Sequence, residues 1–94
     1  MYEVRFTKRF DKLFKKLDGQ IQRVILKEIE NLRLNHELGE KLHGTLSDLL
    51  KIRVKDYRVI YHIHSSENVM EFIFVDHRKH VYEELGRLRR EEII

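Results

Sequence analysis

Hydrophobic residues change their spacing several times along this chain, and each change marks an element. Tyr2, Val4 and Phe6 alternate with Glu3 and Arg5, the period of a half-buried strand. From Phe10 the spacing becomes helical. Phe10, Leu13, Phe14 and Leu17 recur on one face while Lys8, Arg9, Lys12, Lys15 and Lys16 occupy the rest, with Thr7 available as N-cap. Asp18-Gly19 interrupts this helix and offers Asp18 as the cap of a second one, whose stripe is Ile21, Val24, Ile25, Ile29 and Leu32. Periodicity then fails from Asn35 to Asp48, where Gly39 and Gly44 fall, and this stretch reads as a connection.

Alternation returns in three runs: Leu50, Ile52, Val54; then Tyr57, Val59, Tyr61, Ile63; then Met70, Phe72, Phe74. Lys55-Asp56 and Ser65-Ser66-Glu67-Asn68 are the turns between them. A last helix is predicted from near His80 through Leu85 and Leu88, which with Ile93-Ile94 suggest that it packs on the sheet or meets a partner. The order β-α-α-β-β-β-α implies an α+β two-layer domain, an antiparallel sheet covered on one face by the helical hairpin and open on the other. Residues 1–94 are too few for two cores and form a single domain.

Composition narrows the function. With 41% hydrophobic and 37% charged residues the chain has the apolar material to fold and a densely charged exterior. Cysteine is absent, which removes disulfides and thiolate metal sites. No apolar run approaches the roughly 20 residues of a membrane span and no signal segment opens the chain, so the expected location is the cytoplasm. Net charge is +3, and 14 of the 19 lysines and arginines lie at or before Arg58 against nine acids there. An excess so placed suits an anionic polymer. The lysine-rich face of the first helix is either solvated surface or a contact for a nucleic acid.

Pairing the runs on either side of Lys55-Asp56 is more informative. A two-residue loop sets Val54 opposite Tyr57, Arg53 opposite Arg58, Ile52 opposite Val59 and Lys51 opposite Ile60. Both apolar sets then share the core face, and Lys51, Arg53 and Arg58 share the other. Two arginines facing each other across strands destabilise a sheet, so their presence asks for a ligand. Across the next hairpin the same count pairs Tyr61 with Phe72 and Val59 with Phe74 on the core face. His62, Glu71 and Ile73 fall on the open face, and His77-Arg78 arrive at the mouth of the cationic cluster with Tyr82 behind them. Guanidinium and ammonium groups beside an aromatic ring make a site for a phosphate and a base.

RNA cleavage fits this set because the substrate brings its own nucleophile, the 2′-hydroxyl. An enzyme needs only to take that proton, hold charge on the phosphate and protonate the leaving oxygen. Lys51 is the candidate base, since crowded like charges favour a neutral amine. The arginines would hold the charge, and His77 or Arg78 would serve the leaving group. No metal-ligand spacing, paired carboxylates or nucleotide-cradling glycine loop appears, and no cofactor is expected.

The stretch Lys51-Ile-Arg-Val-Lys-Asp-Tyr-Arg-Val-Ile-Tyr61, with Val75-Asp-His-Arg-Lys-His-Val-Tyr82 and the preceding Lys41-Leu42-His43-Gly44, resembles the RelE group of the RelE/ParE toxin superfamily. The resemblance spans nearly the whole chain. It implies a type II toxin that cuts mRNA on the ribosome without a metal and is neutralised by a RelB-like antitoxin. By position, Lys51 and Arg53 match the family's pair for deprotonation and phosphate binding, and Arg58 its transition-state arginine. Arg78 matches the leaving-group arginine and Tyr82 the base-stacking tyrosine. The segment from Arg78 to Tyr82 is shorter than in well-studied members, and Arg53 stands where some have lysine. Two other readings compete: a ParE-type inhibitor of DNA gyrase, whose members generally lack the full basic and tyrosine set, and a non-catalytic RNA-binding module.

Overall fold

The structure, a computed structural model, describes all 94 residues. Its elements follow the hydrophobic periods closely. Strand β1 (Glu3–Phe6) leads into helix α1 (Lys8–Phe14), and α2 (Gly19–Leu34) follows. Thr7 Oγ1 accepts the Phe10 amide at 3.1 Å, and Asp18 Oδ1 accepts the Gln20 amide at 2.7 Å. Each expected cap therefore satisfies an otherwise orphan donor. Strands β2 (Glu40–Lys41), β3 (Leu50–Val54), β4 (Tyr57–His64) and β5 (Val69–His77) come next, and α3 (Val81–Arg90) closes the order.

The five strands form one sheet in the order β1-β5-β4-β3-β2. The α+β class holds, with three differences from the expectation. Strand β1 runs parallel to β5, so the sheet is mixed rather than wholly antiparallel. Strand β2 lies inside the stretch read as a connection; at two residues it is too short to show a period. It pairs Glu40 with Lys51 and Lys41 with Leu50.

The third difference is the second face, which is not left wholly open. Ile25, Ile29 and Leu32 of α2 pack with Phe10 on Ile52, Val54, Val59, Tyr61, Met70, Phe72 and Val75. On the other face Val81, Leu85 and Leu88 of α3 join Leu42 and Leu49 over Ile60 and Phe74. The end of that face bearing the β3–β4 cations stays uncovered.

The β3–β4 register is the one the loop length predicts: Val54 with Tyr57, Arg53 with Arg58, Ile52 with Val59, Lys51 with Ile60. Between β4 and β5, Tyr61 pairs with Phe72 as expected, but Ile60 pairs with Phe74 and Val59 with Val75. Ile73 is the extra residue of a β-bulge, and it reverses the facing of everything after it. Phe74 thereby leaves the hairpin core for the α3 side, and His77 turns to the hairpin face opposite Tyr57.

Candidate active site

The uncovered end of the second face is a cleft of about 700 Å³ lined by Leu42, His43, Leu46, Lys51, Arg53, Arg58, Arg78, Lys79 and Tyr82. Alternation along β3 and β4 aims Lys51, Arg53 and Arg58 into it from below. Arg78 and Lys79 enter from the end of β5, and Tyr82 from the first turn of α3. Leu42, His43 and Leu46 form the opposite wall, where β2 runs into a 3-10 turn at Gly44–Leu46.

Four of the five cations have a support that leaves them available. Arg58 Nη1 donates to the carbonyls of Lys55, at 3.0 Å, and Tyr57, at 2.9 Å, which fixes its guanidinium at the hairpin turn. Lys55 sustains that turn at a φ of 54°. The same turn orients Arg78, whose amide donates to the Asp56 carbonyl at 2.7 Å and whose Nε lies 3.5 Å from Asp56 Oδ1. Arg53 Nε is 3.8 Å from Glu40 Oε1 across the β2 edge. These two ion pairs are long and solvent-exposed, so they hold their guanidiniums weakly and a phosphate can displace them. Lys51 Nζ donates to Tyr82 Oη at 2.9 Å and stands 5.0 Å from the ring centre. Tyr82 keeps 40% of its surface exposed beside this contact, enough to stack on a base.

Of the six residues named from the sequence, Lys51, Arg53, Arg58, Arg78 and Tyr82 meet in this cleft and His77 does not. The Ile73 bulge turns His77 to the other side of the sheet. There its ring sets edge-on to Tyr57 at 5.7 Å, and its Nδ1 accepts the Lys79 amide at 3.2 Å. His62 and Glu71 do share the α3 face, as expected, but at a distance from the cleft; Glu71 is bonded to His64 at 3.0 Å. Four lining residues were not among the sequence candidates: Leu42 and Leu46, which are apolar, and His43 and Lys79. Lys79 directly follows the His77-Arg78 pair, and that adjacency was its only signal. His43 had one signal, its place before Gly44, whose φ of +64° marks an obligatory turn.

The entry into β2 rests on a close contact with the core. Tyr61 is fully buried and its hydroxyl has no hydrogen-bond partner. Burial raises its pKa to about 12. A Cβ at Gly39 would lie 1.6 Å from that hydroxyl oxygen, so the chain entering β2 crosses Tyr61 only because residue 39 is glycine. No group of three or more His, Cys, Asp or Glu is arranged to hold a metal ion, and no helix is long and apolar enough to cross a membrane.

The fold is thus a mixed sheet with a helical hairpin on one face and a cationic, aromatic-flanked cleft on the other. The model of the ParE toxin of type II toxin–antitoxin systems, parDE, matches residues 2–82. The chain belongs to this ParE toxin family, within the RelE/ParE superfamily of type II toxins. Among solved structures it is similar to the isolated RelE toxin of E. coli, at 25% identity and a TM-score of 0.74, over 93% of this chain and 97% of that one. The RelBE2 toxin–antitoxin complex of Mycobacterium tuberculosis contains a similar chain, 27% identical with a TM-score of 0.73, covering 81% and 96% respectively. A YoeB/ParE toxin from Agrobacterium tumefaciens shares the fold, with a TM-score of 0.69 at 17% identity over 80% of this chain and 96% of that one. No curated protein matches the chain.

Proposed function

We propose that this toxin is an endoribonuclease that cuts mRNA on the ribosome by activating the substrate's own 2′-hydroxyl. The observation that carries this reading is the convergence of Lys51, Arg53, Arg58, Arg78 and Tyr82 on one cleft. A phosphodiester bound there gains charge as the 2′-oxygen attacks, and guanidiniums fixed in advance stabilise that charge without reorganising. Arg58, held by two carbonyls, is the transition-state clamp; Lys51 and Arg53 hold the phosphate; Arg78 lies toward the leaving group; Tyr82 stacks on a base. The residues lining the cleft can carry this chemistry without a metal.

The ribosome would supply positioning that an open cleft does not, and ordered binding alone is worth several kcal/mol of barrier. Such a substrate places the toxin in the cytoplasm. By analogy with the RelBE2 complex, a RelB-like antitoxin neutralises it. The family match also raises gyrase inhibition, but a complete set of phosphate-binding cations beside a tyrosine favours RNA.

The test is cleavage of mRNA on programmed ribosomes with a single 2′-deoxynucleotide at the mapped cut site. The deoxy substitution is expected to abolish cleavage there. Undiminished cutting of the deoxy substrate would contradict attack by the 2′-oxygen.

A further inference from the structure

The reaction proposed above needs one group to take a proton and another to give one. Of the nine residues lining the cleft, five are lysine or arginine and two are leucine, which leaves His43 and Tyr82. Guanidiniums do not lose a proton in proteins. Lys51 is engaged as a hydrogen-bond donor: its Nζ donates to Tyr82 Oη at 2.9 Å and stands 5.0 Å from the ring centre. Tyr82 is in turn the acceptor of that bond. An imidazole is the side chain that is substantially neutral, and able to accept a proton, near pH 7 in its ordinary state.

His43 is placed for such a role. The Leu42 amide donates to the Leu49 carbonyl at 3.0 Å, which extends the β2–β3 pairing to the residue before it. Gly44, at a φ of +64°, then turns the chain sharply. His43 is thus held between a strand end and a turn, exposed, with no side-chain capping bond to occupy its ring. Across the cleft lie Lys51, Arg53 and Arg58.

We infer that His43 is the general base of the cleft and that Lys51 acts as the acid, an assignment that rests on the ribonuclease reading. Neutral His43 takes the 2′-hydroxyl proton, and the freed electron pair of the 2′-oxygen forms the bond to phosphorus. The bond from phosphorus to the 5′-oxygen breaks with its pair on oxygen, which takes a proton from the Lys51 ammonium. The products are a 2′,3′-cyclic phosphate and a 5′-hydroxyl. His43 is left protonated and Lys51 neutral, and exchange with water restores both.

The experiment is single-turnover cleavage of mRNA on programmed ribosomes by wild type and His43→Gln, from about pH 5.5 to 8.5, the range in which imidazole titrates. The wild-type rate should rise across the acidic half of that range and level off. His43→Gln should lower the plateau by roughly 10²- to 10⁴-fold, the span of general acid–base catalysis, and remove the rise. In a His43→Ala variant, added imidazole should restore part of the rate. A His43→Gln protein that cuts within about threefold of wild type (under ~0.7 kcal/mol) with the same pH dependence overturns this assignment alone. A wild type that leaves mRNA intact overturns the ribonuclease reading beneath it.

Discussion

Replacing Gly39 by alanine probes how the entry into β2 is held against the core. The added Cβ would meet Tyr61 Oη at 1.6 Å, Cζ at 2.8 Å and Cε1 at 3.3 Å. Gly39 has a φ of −81°, so backbone strain plays no part and the effect is purely one of space. Tyr61 cannot retreat easily, because it is fully buried with its ring 5.3 Å from that of Phe72. The alternative is for residues 39–41 to lift away, which breaks the β2–β3 pairing and carries Glu40 away from Arg53. Overpacking of this kind costs about 1–3 kcal/mol, and the atom at 1.6 Å puts Gly39→Ala at the upper end. For a domain of this size the fall in Tm is roughly 10–20 °C. Tyr61→Phe deletes the worst contact and leaves the ring carbons, so the double variant should recover more than half of the loss. Thermal melts of the four proteins give the coupling, expected at about 1 kcal/mol or more. Additive effects, or a Gly39→Ala protein as stable as wild type, would refute the packing argument.

Tyr61 also predicts an alkaline limit. The folded state keeps the phenol proton to about pH 12 and the unfolded chain releases it near pH 10, so the folded state binds more protons between them. Stability should therefore be intact below about pH 10 and fall by up to about 3 kcal/mol toward pH 12. Urea titrations at both ends of that window should show the fall, with the Tyr61 contribution gone in Tyr61→Phe. Tyr61→Phe should also be about 1 kcal/mol more stable than wild type at neutral pH, since its buried hydroxyl bonds to nothing. In cleavage assays Tyr82→Ala should lose about 10- to 100-fold, the worth of stacking on a base, whereas Tyr82→Phe keeps the ring and should lose less than tenfold. His77→Ala should change cleavage by less than about threefold (under ~0.7 kcal/mol), because its ring packs on Tyr57 outside the cleft; a large loss would contradict the bulged register.

The helices and the first hairpin were legible because independent signals agreed. Apolar stripes met capping residues at Thr7 and Asp18, and two alternations met a two-residue loop, which was enough to bring Lys51, Arg53 and Arg58 together. The bulge was not legible. Phe72, Ile73, Phe74 and Val75 are all apolar, so either register buries hydrophobic groups and alternation cannot choose. Its consequence was the misplacement of His77. Strand β2 and the contribution of His43 depend on Gly39 passing over Tyr61, a contact between distant residues that leaves no periodic trace. The apolar residues of α3 allow either a place on the sheet or a partner, and only tertiary packing decides that they cover Ile60 and Phe74.

The measurement that bears most directly on the central claim sets wild type and Arg58→Ala against two substrates, mRNA on programmed ribosomes and supercoiling by DNA gyrase. Wild type should cut mRNA, leave gyrase active, and lose about 10²- to 10³-fold of its cleavage rate in a folded Arg58→Ala variant. Intact mRNA with gyrase inhibited, or cleavage unchanged by loss of Arg58, would contradict the account.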